Sequence, residues 1–131
     1  SSWAMLETAS LRYPNDFDLA EKICRLHKHA IRSCGPNEYA PMLDALIQQV
    51  QRSYEHSKQS PYLYLASVCV ADYGLAQAYA ARLFEMTSHL ATISFSFLRT
   101  HHDLVSHPDV VEELFYLMGR VVTYSPDLLV A

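Results

Sequence analysis

The sequence predicts an all-α fold in which antiparallel helix pairs stack into a solenoid. Three observations predict it. Only three glycines and six prolines interrupt 131 residues, half of which are apolar, so turn material for a many-stranded sheet is scarce. Apolar residues recur three and four positions apart through most of the chain, the period of a one-sided helix. The gaps between periodic stretches are short, and short gaps force consecutive helices to lie antiparallel. Each full helix pair takes about 40–50 residues, the size of a HEAT-type repeat. The chain then amounts to a single segment of about two and a half to three pairs. A compact four- or five-helix bundle is the rival architecture. Because the chain opens on Ser1 rather than Met, we expect a piece of a longer polypeptide.

The elements follow in order. Residues 3–11 (WAMLETASL) read as a helix, broken by Pro14 and Asn15. A second helix starts between Asp16 and Asp18, where Asp18 and Glu21 fit a D-x-x-E capping box. Its apolar set is Leu19, Ile23, Leu26, Ala30 and Ile31, and Gly35-Pro36 ends it. A third helix is predicted from Tyr39 to Ser57 with the stripe Met42, Leu43, Leu46, Ile47, Val50 and Tyr54, Pro41 fitting its first turn. The polar stretch Glu55 to Ser60 reads as a loop. Pro61 opens a fourth helix, PYLYLASVCVADYG, which is apolar nearly all round and so is expected between neighbours on several sides. Residues 75–100 form a long fifth helix carrying Leu75, Tyr79, Leu83, Phe84, Met86, Leu90, Ile93, Phe97 and Leu98. Within it TISFSF alternates like a strand but has no partner strand. THHDLVSHP reads as a loop. Pro108 begins a sixth helix with Val110, Val111, Leu114, Phe115, Leu117, Met118, Val121 and Val122, ended by Ser125-Pro126.

Charge distinguishes the second helix from the others. The net charge is −4, yet Lys22, Arg25, Lys28 and Arg32 crowd four of the ten basic residues into eleven positions. At about 100° per residue these four and His29 fill an arc of roughly 120°, with the apolar set opposite. Asp18 and Glu21 enter that arc only at the helix N-terminus, where the dipole favours acids. The rest is a basic ladder about 15 Å long. A solvated face is the plain reading, but solvated faces ordinarily mix signs. A ladder of one sign accepts an anionic chain, such as an acidic peptide, a phosphopeptide or a nucleic-acid backbone.

Other functions lose ground on the same page. The acidic total argues against a general nucleic-acid binder. No apolar run nears the roughly 20 residues of a membrane span. Cys24, Cys34 and Cys69 are odd in number and form no C-x-x-C, which favours a reducing compartment, with Cys24 and Cys69 in the core. His101, His102, Asp103 and His107 cluster without a recognisable zinc spacing, so no metal is expected. There is no G-x-S-x-G, Gly-rich phosphate loop or dinucleotide fingerprint, hence no enzyme and no cofactor. Tyr62, Tyr64 and Tyr73 read first as packing between repeats and second as a binding stripe.

The stretches AEKICRLHKHAIRSCG, SPYLYLASVCVADYG and SHPDVVEELFYLMGRVVTYSPDLLV, with Trp3 and Leu6 upstream, together resemble the C-terminal repeats of the transportin-SR family of the importin-β superfamily. The resemblance covers nearly the whole chain in order and spacing, although the H-P-D-x-V element is shared with sister import receptors. It implies a HEAT solenoid that imports serine/arginine-rich splicing factors and releases them to GTP-bound Ran, shuttling between cytoplasm and nucleus. It also implies that an arginine ladder grips the phosphorylated arginine/serine domain of the cargo. Arg25 and Arg32 match ladder arginines; Lys22 and Lys28 stand where the family has arginine and lose the bidentate fork. Asp18 reverses the charge of a further ladder position, which places the N-terminal end of the groove in question. If the second helix is concave, alternation makes the fourth and sixth concave too, and Asp72, Glu112 and Glu113 become candidate partners for cargo arginines. The alternatives are a purely structural repeat segment and a helical protein–protein or RNA interaction module.

Overall fold

Alternation of long periodic stretches with very short gaps produces an all-α, HEAT/TPR-like array. A computed structural model of the chain describes residues 2–13, 15–35, 40–74 and 77–124. The expected breaks at Pro14, Pro36 and Ser125-Pro126, the expected helix start at Tyr39, Leu75 and the side chain of Trp3 lie outside the described residues. The helices are α1 (Ser2–Arg12), α2 (Phe17–Cys34), α3 (Leu43–Ser57, preceded by a 3-10 turn at Ala40–Met42), α4 (Ser60–Tyr73), α5 (Gln77–Phe97), α6 (His101–Ser106) and α7 (Pro108–Tyr124).

Helix ends are set by local chemistry. Asp16, not Asp18, caps α2: its Oδ1 accepts from the Leu19 N–H at 3.0 Å. Gly35, at φ 83°, closes α2 by donating its N–H to the Ile31 carbonyl, a conformation that costs glycine least. Lys58 takes the left-handed conformation, φ 54°, to end α3. The α3–α4 linker is therefore shorter than expected, because Glu55 to Ser57 stay helical and Ser60 already belongs to α4. Residues 101–106, expected as loop, form α6 instead. Thr100 accepts from the Asp103 N–H while Asp103 accepts from the Thr100 N–H, and this reciprocal cap supports one and a half turns. The TISFSF stretch is helical, as its lack of a partner strand required.

Packing is alternate. α1, α3 and α5 touch in sequence, α2, α4 and α7 touch in sequence, and α1/α2, α3/α4 and α5/α7 pair across the two rows. α4 touches α2, α3, α5 and α7, which explains its apolar circumference: Leu63, Ala66, Cys69 and Val70 are all fully buried. Cys24 and Cys69 are core residues, and burial pushes both thiols up. Polar ties cross the core where apolar contact alone does not fix register. Ser10 of α1 meets Ser53 of α3 at 2.9 Å, and Tyr54 of α3 meets Ser94 of α5 at 2.6 Å. At the outer edge, Arg52 pairs with Glu7 and Arg82 with Asp44, each at 2.8 Å.

Five expected core positions are exposed, Met118 and Val122 sharing with Phe115 the outer face of α7. Leu26 is 56% exposed because the buried set of α2 (Ala20, Ile23, Cys24, His27, Ile31) centres on His27, and Leu26 lies at the edge of that arc. Met42 sits in the 3-10 turn before α3, and its side chain leaves the α-helical stripe. Phe115 is 68% exposed, on the face of α7 turned from Leu114, Leu117 and Val121.

Candidate functional site

The four cations lie along one flank of α2, since the opposite flank is committed to the core through Ile23, His27 and Ile31. Lys22, Arg25 and Arg32 are exposed and Lys28 is half-buried. Their surroundings differ. Lys22 makes no ion pair with a described residue. Arg25 reaches Glu21 one turn back at 3.4 Å, with both side chains at least half exposed. Arg32 Nε lies 3.8 Å from Asp72 Oδ2 on α4, too far for a hydrogen bond. Lys28 Nζ donates to the Tyr64 hydroxyl of α4 at 2.9 Å. The same ammonium is 5.2 Å from the Tyr64 ring centroid. Those two distances put it beyond the phenol oxygen rather than over the ring face, so a hydrogen bond, not a cation–π contact, holds it.

Where α2, the start of α4 and the start of α7 meet, the surface opens into a groove of about 360 Å³. Arg25, Lys28, Phe17 and Glu21 come from α2, Tyr64 from α4 and Glu113 from α7. The structure thus brings Arg25 and Lys28 together on one groove. Lys22 and Arg32 share their helix flank but do not line that space.

The far wall is acidic. Glu113 is half-buried, and its Oε2 is withdrawn from solvent with no hydrogen-bond partner. Burial, together with the negative charges of Glu112 and Asp109, raises its pKa above the usual carboxylate value. Asp109 itself accepts from the Ser60 hydroxyl at 3.0 Å. Of the acids expected to face the ladder, Asp72 is near Arg32, Glu113 lines the groove and Glu112 is exposed.

The tyrosines divide by role. Tyr62 and Tyr73 are buried packing residues, and only Tyr64 reaches the groove. Sequence reasoning named Tyr64 only as one of three tyrosines in a possible binding stripe, and it did not name Phe17. The available signal for Tyr64 was its place on α4 facing the basic flank of α2. Among the described residues no three His, Cys, Asp or Glu side chains gather as a metal site. No described helix is long and apolar enough to cross a membrane.

Comparison with known proteins bears on the same span. The family model of the transportin-3/importin-13 fourth TPR domain matches residues 1–98. Transportin MOS14 of Arabidopsis thaliana is 23% identical over 128 residues, covering 98% of this chain and 13% of that protein. The chain therefore spans a small fraction of the length of the curated relative it matches. The matched family span runs from α1 through α5 and includes the whole basic flank of α2, and on that match the chain belongs to the transportin-3/importin-13 family.

Proposed function

We propose that this chain is a cargo-recognition segment of a nuclear import receptor, and that the basic flank of α2 grips phosphorylated arginine/serine-rich domains of splicing factors. The segment is non-enzymatic and uses no cofactor. In the full receptor, GTP-bound Ran releases the cargo, and the receptor shuttles between cytoplasm and nucleus. The carrying observation is that Arg25 and Lys28, one turn apart, line the same open groove.

The interactions now made by the cations are weak enough to exchange. The Arg25–Glu21 pair is an exposed contact within one helix, a class that contributes a few tenths of a kcal/mol. Lys28 has a neutral partner in Tyr64 and keeps two further N–H donors. A phosphoserine brings a charge of about −1.5 to −2 with strong acceptor oxygens. It therefore competes well for both. Cations spaced three or four residues apart, from Lys22 to Arg32, give successive phosphates separate partners along the helix.

Fluorescence anisotropy with an arginine/serine peptide in phosphorylated and unphosphorylated form tests this reading. We expect tighter binding of the phosphorylated form and its loss in Lys22→Glu/Arg25→Glu. Equal binding of both forms, unchanged by the double variant, would remove the ladder from the account.

The Arg25–Glu21 and Arg32–Asp72 contacts favour a second reading, in which the segment is purely structural and cargo is held elsewhere. That reading predicts normal import in cells carrying Lys28→Glu with Arg32→Glu.

A further inference from the structure

We infer that Tyr64 of α4 is a specificity-determining residue of the groove: its hydroxyl fixes the Lys28 ammonium and turns its own O–H outward, so that the two side chains together act as a two-donor fork for one phosphate monoester. This rests on the proposed cargo reading and adds to it a residue that lies off the basic helix, and a reason why a phosphate rather than any acid is read there.

A lysine is a compact charge on a flexible four-carbon stem and lacks the planar fork of a guanidinium. Lys28, however, is held in place. Half-buried, it reaches from α2 to α4 and its Nζ donates to the Tyr64 hydroxyl at 2.9 Å. An ammonium has three N–H donors and no acceptor. Tyr64 therefore cannot donate back to Lys28, and its proton points elsewhere. Among the described residues the Lys28 contact is the one hydrogen bond this hydroxyl makes, so the proton is left for a ligand. A hydroxyl that already accepts from a cation is polarised and donates more strongly than an isolated phenol. Lys28, with two N–H donors to spare, and Tyr64, with one O–H, both line the groove. Their heavy atoms are 2.9 Å apart, close enough to serve neighbouring oxygens of a single anion.

The lining offers no substitute for Tyr64 and selects among anions. The other hydroxyl in the groove, that of Ser60, donates to Asp109 at 3.0 Å. Arg25 is the third cooperating group, since its exposed contact with Glu21 at 3.4 Å is cheap to exchange. Arg25, Lys28 and Tyr64 thus present donors from two helices to one space. A phosphate monoester has three strong acceptor oxygens and a charge of about −1.5 to −2, enough to meet all three groups. A carboxylate has two oxygens and a single charge. Glu113 lines the same groove and repels every anion, which favours the ligand that engages the most donors.

Fluorescence anisotropy on the whole chain tests this with three short arginine/serine peptides that differ at one position: phosphoserine, glutamate or serine. Tyr64→Phe keeps the ring and removes the hydroxyl. It is expected to weaken binding of the phosphoserine peptide about five- to tenfold, as for a lost hydrogen bond to a charged group, and of the glutamate peptide less than about twofold. Lys28→Arg brings its own fork, so in that background Tyr64→Phe is expected to cost less than about twofold on the phosphoserine peptide. A role for Tyr64 in packing alone would show no such rescue. Equal weakening of the phosphoserine and glutamate peptides, no weakening of either, or an undiminished loss in the Lys28→Arg background overturns the inference. If the native chain prefers phosphoserine and loses that preference in Lys22→Glu/Arg25→Glu while Tyr64→Phe changes nothing, the cargo reading stands and Tyr64 drops out of it. If the native chain binds the phosphoserine and serine peptides alike, the cargo reading falls and the role of Tyr64 falls with it.

Discussion

Acidification should destabilise this fold through one residue, His27. It sits on α2 at 3% exposure, and its Nε2 lies 3.1 Å from the Gln49 amide nitrogen of α3. An amide nitrogen only donates, so the imidazole accepts there and is neutral, with its proton on Nδ1. Protonation would set two donors face to face and place a charge among Ile23, Cys24 and Ile31. Burial accordingly lowers the His27 pKa from 6.5 to about 4. The sign follows from linkage. Below pH 6.5 the unfolded chain takes up a proton that the folded chain refuses, so stability is intact above about 6.5 and is lost progressively down to about 4. Between pH 7 and pH 5 that shift corresponds to a loss of about 2 kcal/mol at most. For a chain of this size the melting temperature then falls by roughly 6–10 °C. Thermal denaturation followed by circular dichroism at pH 7, 6 and 5 measures it. His27→Gln cannot take up the proton, so comparing its slope with that of the native chain cancels the other titrating groups. If the two chains lose equal stability between pH 7 and pH 5, the buried neutral histidine is not the acid-sensitive element and the reasoning fails.

Two further predictions concern the core, read by urea denaturation. Leu117→Ala removes a fully buried side chain of α7 and should cost about 3 kcal/mol, whereas Leu26→Ala, at 56% exposure, should stay within about 0.5 kcal/mol; comparable losses would contradict the assigned faces. Tyr54→Phe deletes the hydroxyl that meets Ser94, but Ser94 Oγ still donates to the Leu90 carbonyl. The expected cost is therefore about 1 kcal/mol, and a loss beyond about 3 kcal/mol would mean the Ser94 hydroxyl is left unsatisfied.

Periodicity made the helices legible, and the missing detail is where short-range chemistry competes with it. The stripe Leu43, Leu46, Ile47, Val50 and Tyr54 is buried as its spacing required. So is nearly all of α4, whose uniform apolarity has no helical face to read but does announce contact on every side. α6 escaped because six residues offer too little period; its signal was the T-x-x-D cap at Thr100 and Asp103. Leu26 misled because hydrophobicity alone does not locate the centre of a buried arc. His27 falls within the apolar arc of α2 and marks that centre better than Leu26 does, although a histidine is not ordinarily counted as core. For the candidate site, charge spacing was enough to gather Lys22, Arg25, Lys28 and Arg32 on one flank. It was not enough to distinguish the two that line the groove from the two that do not. That depends on which residues of α4 and α7 lie opposite, a contact between positions more than 30 residues apart.

The distribution of sign around the groove follows from the packing of α4. A helix enclosed on four sides has almost no perimeter for charge, and α4 gives the groove a tyrosine, a serine and a proline. Charge must then come from the helices on either side. α2 supplies cations after its first turn, where the helix dipole no longer favours acids, while α7 supplies Asp109, Glu112 and Glu113 from its own first two turns, where it does. Opposite charges consequently face each other across the width of one helix. They are too far apart to neutralise each other directly, since Lys28 turns to Tyr64 and Glu113 Oε2 has no partner. A central helix that carries almost no charge thus keeps two charged walls separate. On the proposed cargo reading, a ligand that alternates in sign along its own backbone would engage both walls at once, where a ligand of one sign would gain on one wall and lose on the other.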